Sequence, residues 1–169
     1  MKIAKDGIRS IVKVGYDGRV HKTFRGTDRD VRFANEVRVL KALEARGCDF
    51  VPQLLDSDDE TLTIITTNCG APAESSISDE KAKSLFQRLE DEYGIVHDDP
   101  FPRNITYDGR QGQFCVIDFE LADIKSMPGS EDLEGEESDE AHRTLNWCGL
   151  TRDGTRKPGN QDALSAFSL

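Results

Sequence analysis

The stretch from Val96 to Ala122, VHDDPFPRNITYDGRQGQFCVIDFELA, constrains this 169-residue chain more than any other. His97 and Asp99 precede Asn104, and after a gap holding Asp108-Gly109 an apolar run ends at Asp118-Phe119. The spacing is H-x-D-x-x-x-x-N followed by D-F-x. Asp-Gly is a turn dipeptide, so the residues around it, Ile105–Tyr107 and Phe114–Asp118, read as two short strands. Chemically, Asn104 and Asp118 offer hard oxygen donors for a divalent cation such as magnesium. Asp99 offers a carboxylate to orient a hydroxyl and take its proton. His97 reads as structural, hydrogen-bonding near the D-F-x segment.

Upstream, Ile8 to Lys22 reads as a β-hairpin turning at Gly15-Tyr16-Asp17-Gly18, with Lys22 in its second strand and Phe24 following. Only seven residues precede it, which leaves no room for a further strand in the usual way. A helix is predicted from Asp28 to Ala45, capped by Thr27 or Asp28 and followed by Gly47. Phe33, Val37, Leu40 and Leu43 share one of its faces, Glu36 flanks that stripe, and Arg32, Arg38 and Lys41 face water. Glu36 is therefore placed to reach inward to Lys22. Val51–Leu55 and Thr61–Thr66 are predicted strands joined by the acidic turn Asp56–Glu60, and Asn68–Pro72 is a linker. Ser78 caps a second helix over Asp79–Tyr93, Ile77 staples it, and Gly94 closes it. Its apolar residues Ala82, Leu85, Phe86 and Leu89 are expected to be buried. The order of elements predicts an α+β domain over residues 1–125.

Charge separates the rest of the chain. Net charge is −10, and residues 131–140 alone carry seven of those negative charges. Residues 126–140 are thus expected to be an acidic flexible segment, and 141–169 a partly ordered tail. No basic stripe marks a nucleic-acid partner. The four cysteines (Cys48, Cys69, Cys115, Cys148) form no C-x-x-C pair, so neither zinc nor a disulfide is expected. Lys2, Lys5, Asp6 and Arg9 interrupt any leader, no run reaches membrane-spanning length, and a cytoplasmic protein is expected. Its oligomeric state is not legible.

Lys22, Glu36, His97/Asp99, Asn104 and Asp118, in that order, resemble the protein-kinase-like superfamily, most closely its small atypical members such as RIO-type and lipopolysaccharide kinases. The resemblance implies a reduced two-lobed fold: a small antiparallel N-lobe sheet with one helix, and a truncated helical C-lobe. It implies ATP and Mg2+ as cofactors, with Lys22 on the α/β-phosphates, Glu36 holding Lys22, Asn104 and Asp118 on the metal, and Asp99 catalytic. The implied activity is serine/threonine protein phosphorylation, with a protein substrate as partner; a small-molecule kinase and a pseudokinase binding module are the alternatives. There are departures. No G-x-G-x-x-G precedes Lys22, and Glu120 stands where D-F-G has glycine. Asp98 replaces the usual arginine or glycine and Phe101 the usual lysine, with Arg103 placed to supply a charge instead, and no A-P-E follows. The tail from Gly149 to Ala163 resembles the opening of metal-dependent PPM-type phosphatases, with Lys157 and Asp162 in its key positions, but lacks their later metal motifs.

Overall fold

The computed structural model of the protein describes residues 1–126. The expected acidic segment, apart from Ser126, and the expected phosphatase-like tail lie outside the described residues.

Five antiparallel strands form one sheet: β1 (Lys2–Asp6), β2 (Ser10–Val14), β3 (Val20–Phe24), β4 (Leu54–Asp58) and β5 (Thr63–Thr66), in the order β1-β2-β3-β5-β4. The β2–β3 hairpin forms around Gly15–Arg19 as its Asp-Gly turn demands, with Gly18 at φ 79. The β1 strand corrects the sequence reading, which left no room for it. Lys2 pairs opposite Val14 and Asp6 opposite Ile11, and the connection to β2 is only Gly7-Ile8-Arg9. All five β1 residues are exposed, so no half-buried alternation marks the strand in the sequence. The β4 strand also starts three residues later than expected. Asp56 and Asp58 belong to this edge strand, where charged side chains face water and discourage further pairing. The turn contracts accordingly, with the Asp58 carboxylate accepting from Glu60 N at 2.9 Å and Thr61 Oγ1 at 2.8 Å.

Helix α1 (Arg29–Ala45) packs on this sheet, burying Phe33, Val39, Leu40 and Leu43 with Phe24 and Ile64. Asp28 takes the cap position at φ 54, but its side chain caps nothing. The Arg32 guanidinium reaches back instead and donates to the Thr27 carbonyl at 2.9 Å. Arg32 is buried, contrary to the expectation that it faces water. The buried face of α1 thus contains Arg32 and Glu36 among its apolar residues, and those two lead to the site.

The second part comprises β6 (Ala71–Pro72), α2 (Asp79–Tyr93), β7 (Ile95–Val96), β8 (Ile105–Asp108), β9 (Gln113–Val116) and β10 (Asp123–Ile124). The β6, β8 and β9 strands form one sheet in that order, and β7 pairs with β10. Helix α2 follows its sequence signals: Ser78 Oγ accepts from Lys81 N at 3.3 Å, Gly94 ends it at φ 61, and Ala82, Leu85, Phe86 and Leu89 are buried. The described residues are thus α+β, with two α-helices and antiparallel sheets, compatible with the small kinase-like fold expected. No helix among them is long and apolar enough to cross a membrane.

Candidate active site

Register places the first functional side chain. Lys22 in β3 lies opposite Val12 in β2 and Ile64 in β5, so it shares their face of the sheet. Glu36, on the buried face of α1, meets it there: Lys22 Nζ donates to Glu36 Oε2 at 2.6 Å and to Asp118 Oδ1 at 2.5 Å. Burial by itself would depress the Lys22 ammonium, but Glu36 and Asp118 outweigh it and hold the group above the ordinary lysine range. Lys22 is therefore a fixed positive charge. Glu36 is the weaker acid of the cluster, pushed up to about 7 by burial. Lys22 opposes that shift, while the neighbouring Asp118 and Glu120 carboxylates compete for the same cation. Asp118 goes the other way: despite its burial, Lys22 and Lys5 hold it below the usual carboxylate range.

The loop after β7 is pinned by His97. Its ring packs between Phe86 and Phe119, with centroids 5.2 and 5.3 Å away. Nδ1 accepts from Asp99 N at 3.1 Å, so Nε2 carries the proton and donates to the Ile117 carbonyl at 3.0 Å. One neutral imidazole thereby ties Asp99 to the residue before Asp118, the structural role expected of it. The Asp99 carboxylate is held by Asn104 Nδ2 at 2.7 Å and by a two-pronged contact from Arg103, whose Nε lies 2.9 Å away. A single 3-10 turn over Pro102–Asn104 creates that spacing, and Ile117 N bonds the Asn104 carbonyl at 2.9 Å. Lys22, Glu36 and Asp118 thus form one hydrogen-bonded group and Asp99 and Asn104 a second, and the two are joined through His97 and the Ile117 backbone next to Asp118.

Asp118 sits at φ 72, a left-handed conformation that a non-glycine residue adopts only when its surroundings hold it there. After Phe119, which is fully buried, Glu120 occupies the glycine position of D-F-G. Its carboxylate is buried as well and bonds Arg32 at 3.0 Å, with Lys22 and Arg9 each 3.7 Å away. Glu120 therefore ties α1 to the segment that carries Asp118. Sequence reading missed this pair, because each partner resembles an ordinary surface charge until the fold joins them.

The cluster opens onto a cavity of about 350 Å³. Val12, Val14, Val20, Leu40, Ile64 and Ile117 give it apolar walls, and Lys22, Asn104 and Asp118 stand at its polar end. Thr106 lines it too, and its buried Oγ1 has no hydrogen-bond partner among the described residues. The chain crosses the cavity edge at Asn68-Cys69-Gly70. Gly70 is required there, since at φ 88 a Cβ would stand 2.0 Å from the Tyr107 carbonyl oxygen. Cys69 and Cys115 are neighbours in the fold, and among the described residues the cysteines are free thiols. Asn104 Nδ2 is occupied by Asp99, so the amide oxygen remains as its donor toward a cation. With the Asp118 carboxylate, that set fits magnesium.

Residues 69–127 match the phosphotransferase enzyme family, APH. The matched stretch runs through Asp99, Asn104 and Asp118 and spans about a third of the chain. It supports a place in the kinase-like superfamily and phosphotransferase chemistry. The β1–β5 sheet, with Lys22, and α1, with Glu36, lie outside the match, so their agreement with the same site is an independent observation. No curated protein matches the chain.

Proposed function

We propose that the protein is an ATP- and magnesium-dependent phosphotransferase that phosphorylates serine or threonine hydroxyls of a protein, working in the cytoplasm. The observation that carries this reading is the buried Lys22 ammonium, 2.6 Å from Glu36 and 2.5 Å from Asp118, at the polar end of an apolar cavity. A purine base suits the apolar walls, and a polyphosphate suits the lysine. Lys22 binds and orients the α/β-phosphates. Asp99 accepts the proton of the acceptor hydroxyl as the oxygen–phosphorus bond to the acceptor forms and the bond from the γ-phosphorus to the β–γ bridging oxygen breaks, releasing ADP. Arg103 and Asn104 keep the Asp99 carboxylate aimed. A magnesium ion held by Asn104 and Asp118 would supply neutralisation of the phosphate charge. Near Asp99, Lys83, Phe86, Pro100, Phe101 and Pro102 line an open groove of about 560 Å³, and Phe101 is exposed. The lining also includes Asp79, Gln87 and Glu90, a mixed charged and apolar relief that an extended peptide can follow, and on this a protein acceptor is the favoured reading.

Incubating the protein with γ-labelled ATP and a protein panel is the test. Labelled protein is expected, with transfer reduced by at least about a hundredfold in both Asp99→Asn and Asp118→Ala. Undiminished labelling in Asp118→Ala sinks the mechanism, and label found only in a small metabolite assigns a small-molecule acceptor.

A further inference from the structure

Kinase-like enzymes commonly cover the nucleotide phosphates with backbone amides of a glycine-rich loop, which this chain lacks. The corresponding place is taken by the three residues Gly7-Ile8-Arg9 between β1 and β2. That loop is fixed in place. Gly7 N is engaged with the Ser10 carbonyl at 3.0 Å, the Gly7 carbonyl accepts from Arg25 Nε at 2.8 Å, and the Arg9 carbonyl accepts from Arg25 N at 2.8 Å. With Gly7 N engaged, a loop this short leaves only the Ile8 and Arg9 amides for a ligand.

A side chain one residue before the loop compensates. The β1–β2 register is regular at Lys2 and Ile3, shifts between Ile3 and Lys5, and then continues with Lys5 opposite Val12. Without that bulge Ala4 would face Val12 and Lys5 would point to the other side of the sheet. With it, Lys5, Val12 and Lys22 form one cross-strand row, on the face that covers the cavity. Lys5 also lines the adjoining cavity of about 290 Å³ that holds Asp98, Asp99 and Asp118. Its ammonium stands 3.7 Å from Asp118 Oδ2, the oxygen opposite the one bound by Lys22, and its side chain is 62% exposed. A contact that long and that wet contributes little to stability. The ammonium is free to move onto a phosphate.

We infer that Lys5 is a second phosphate-binding lysine, aimed by the bulge at Ala4, which takes the terminal phosphate of the nucleotide in place of a glycine-rich loop. The inference rests on the nucleotide site proposed above. Lys22 and Lys5 divide the polyphosphate between them: Lys22, buried beside Glu36, takes the inner phosphates, and Lys5, at the mouth beside Asp99, takes the transferable one.

Equilibrium binding of ATP, ADP and AMP to the full chain, with magnesium and by calorimetry, tests this on the wild type and on Lys5→Ala. Lys5 lies exposed on an edge strand, so the variant folds. ATP affinity is expected to fall about tenfold, with AMP affinity unchanged within about twofold. ATP binding unaltered in Lys5→Ala, or an equal loss for all three nucleotides, overturns the role of Lys5 and leaves the nucleotide site standing. Failure of the wild type to bind any of the three overturns the nucleotide site itself and the role of Lys5 with it.

Discussion

Lys22 and Glu36 illustrate how three carboxylates share one buried ammonium. Because Lys22 is contested by Asp118 and Glu120, Glu36 retains a burial penalty that lifts its carboxyl to about 7. Between the ordinary glutamate value of 4.5 and that point the folded state binds a proton that the unfolded state has lost. The Glu36 contribution is therefore fully present below 4.5 and declines as pH rises to about 7. Urea unfolding of the wild type between pH 4.5 and 7 should show this decline, and Glu36→Gln should remove it. An identical slope in the two proteins would assign the titration elsewhere. At this scale the sequence was informative about identity and silent about environment. Asp99, Asn104 and Asp118 are picked out by spacing, and Lys22 only by its place on a strand ahead of them, whereas the unpartnered hydroxyl of Thr106 and the cross-strand partner of Lys5 are properties of what surrounds them.

At the scale of elements, α1 and the segment after β9 are joined by Arg32 and Glu120, both buried and 3.0 Å apart. Arg32→Met leaves the Glu120 carboxylate buried with only Lys22 and Arg9 nearby, and should cost about 3 kcal/mol in denaturant unfolding. Glu120→Gln in the same background should restore a good part of that loss, since the stranded charge is gone. Two independent losses that simply add would refute the coupling. The pair also explains where element prediction worked. Helix α2, polar outside and apolar inside, is marked by its own cap residues and its own periodicity. Helix α1 has ion-pairing residues on its inner face, so Arg32 looks solvated in the sequence. The β1 strand, exposed along its length and short of apolar residues, has no local signal at all and forms because β2 offers it an edge.

For the whole molecule, the site depends on the β1–β5 sheet and α1 presenting Lys22 and Glu36 to residues of the family-matched stretch. A ligand that bridges them binds only the assembled state. Magnesium and ATP at a hundredfold excess over the dissociation constant should therefore add about 2.7 kcal/mol of apparent stability, a rise in melting temperature on the order of 5–10 °C. The same titration on Lys22→Met should give less than half that shift; a full shift in the variant would remove the lysine from the site.

By itself the sequence determined the chemistry available: a carboxylate, an amide and a second carboxylate at fixed spacings, a lysine on a strand, a glutamate on a helix. Local signals sufficed, because turn dipeptides, helix caps and short-range spacing act over a few residues. Tertiary structure alone decided which charges are buried, that Arg32 and Glu120 belong to the site, and that Cys69 and Cys115 are neighbours. It also decided that one extra residue in β1 turns Lys5 toward Asp118. These outcomes depend on contacts between residues far apart in the chain, where a charge in sequence reads the same whether it ends in water or against its partner.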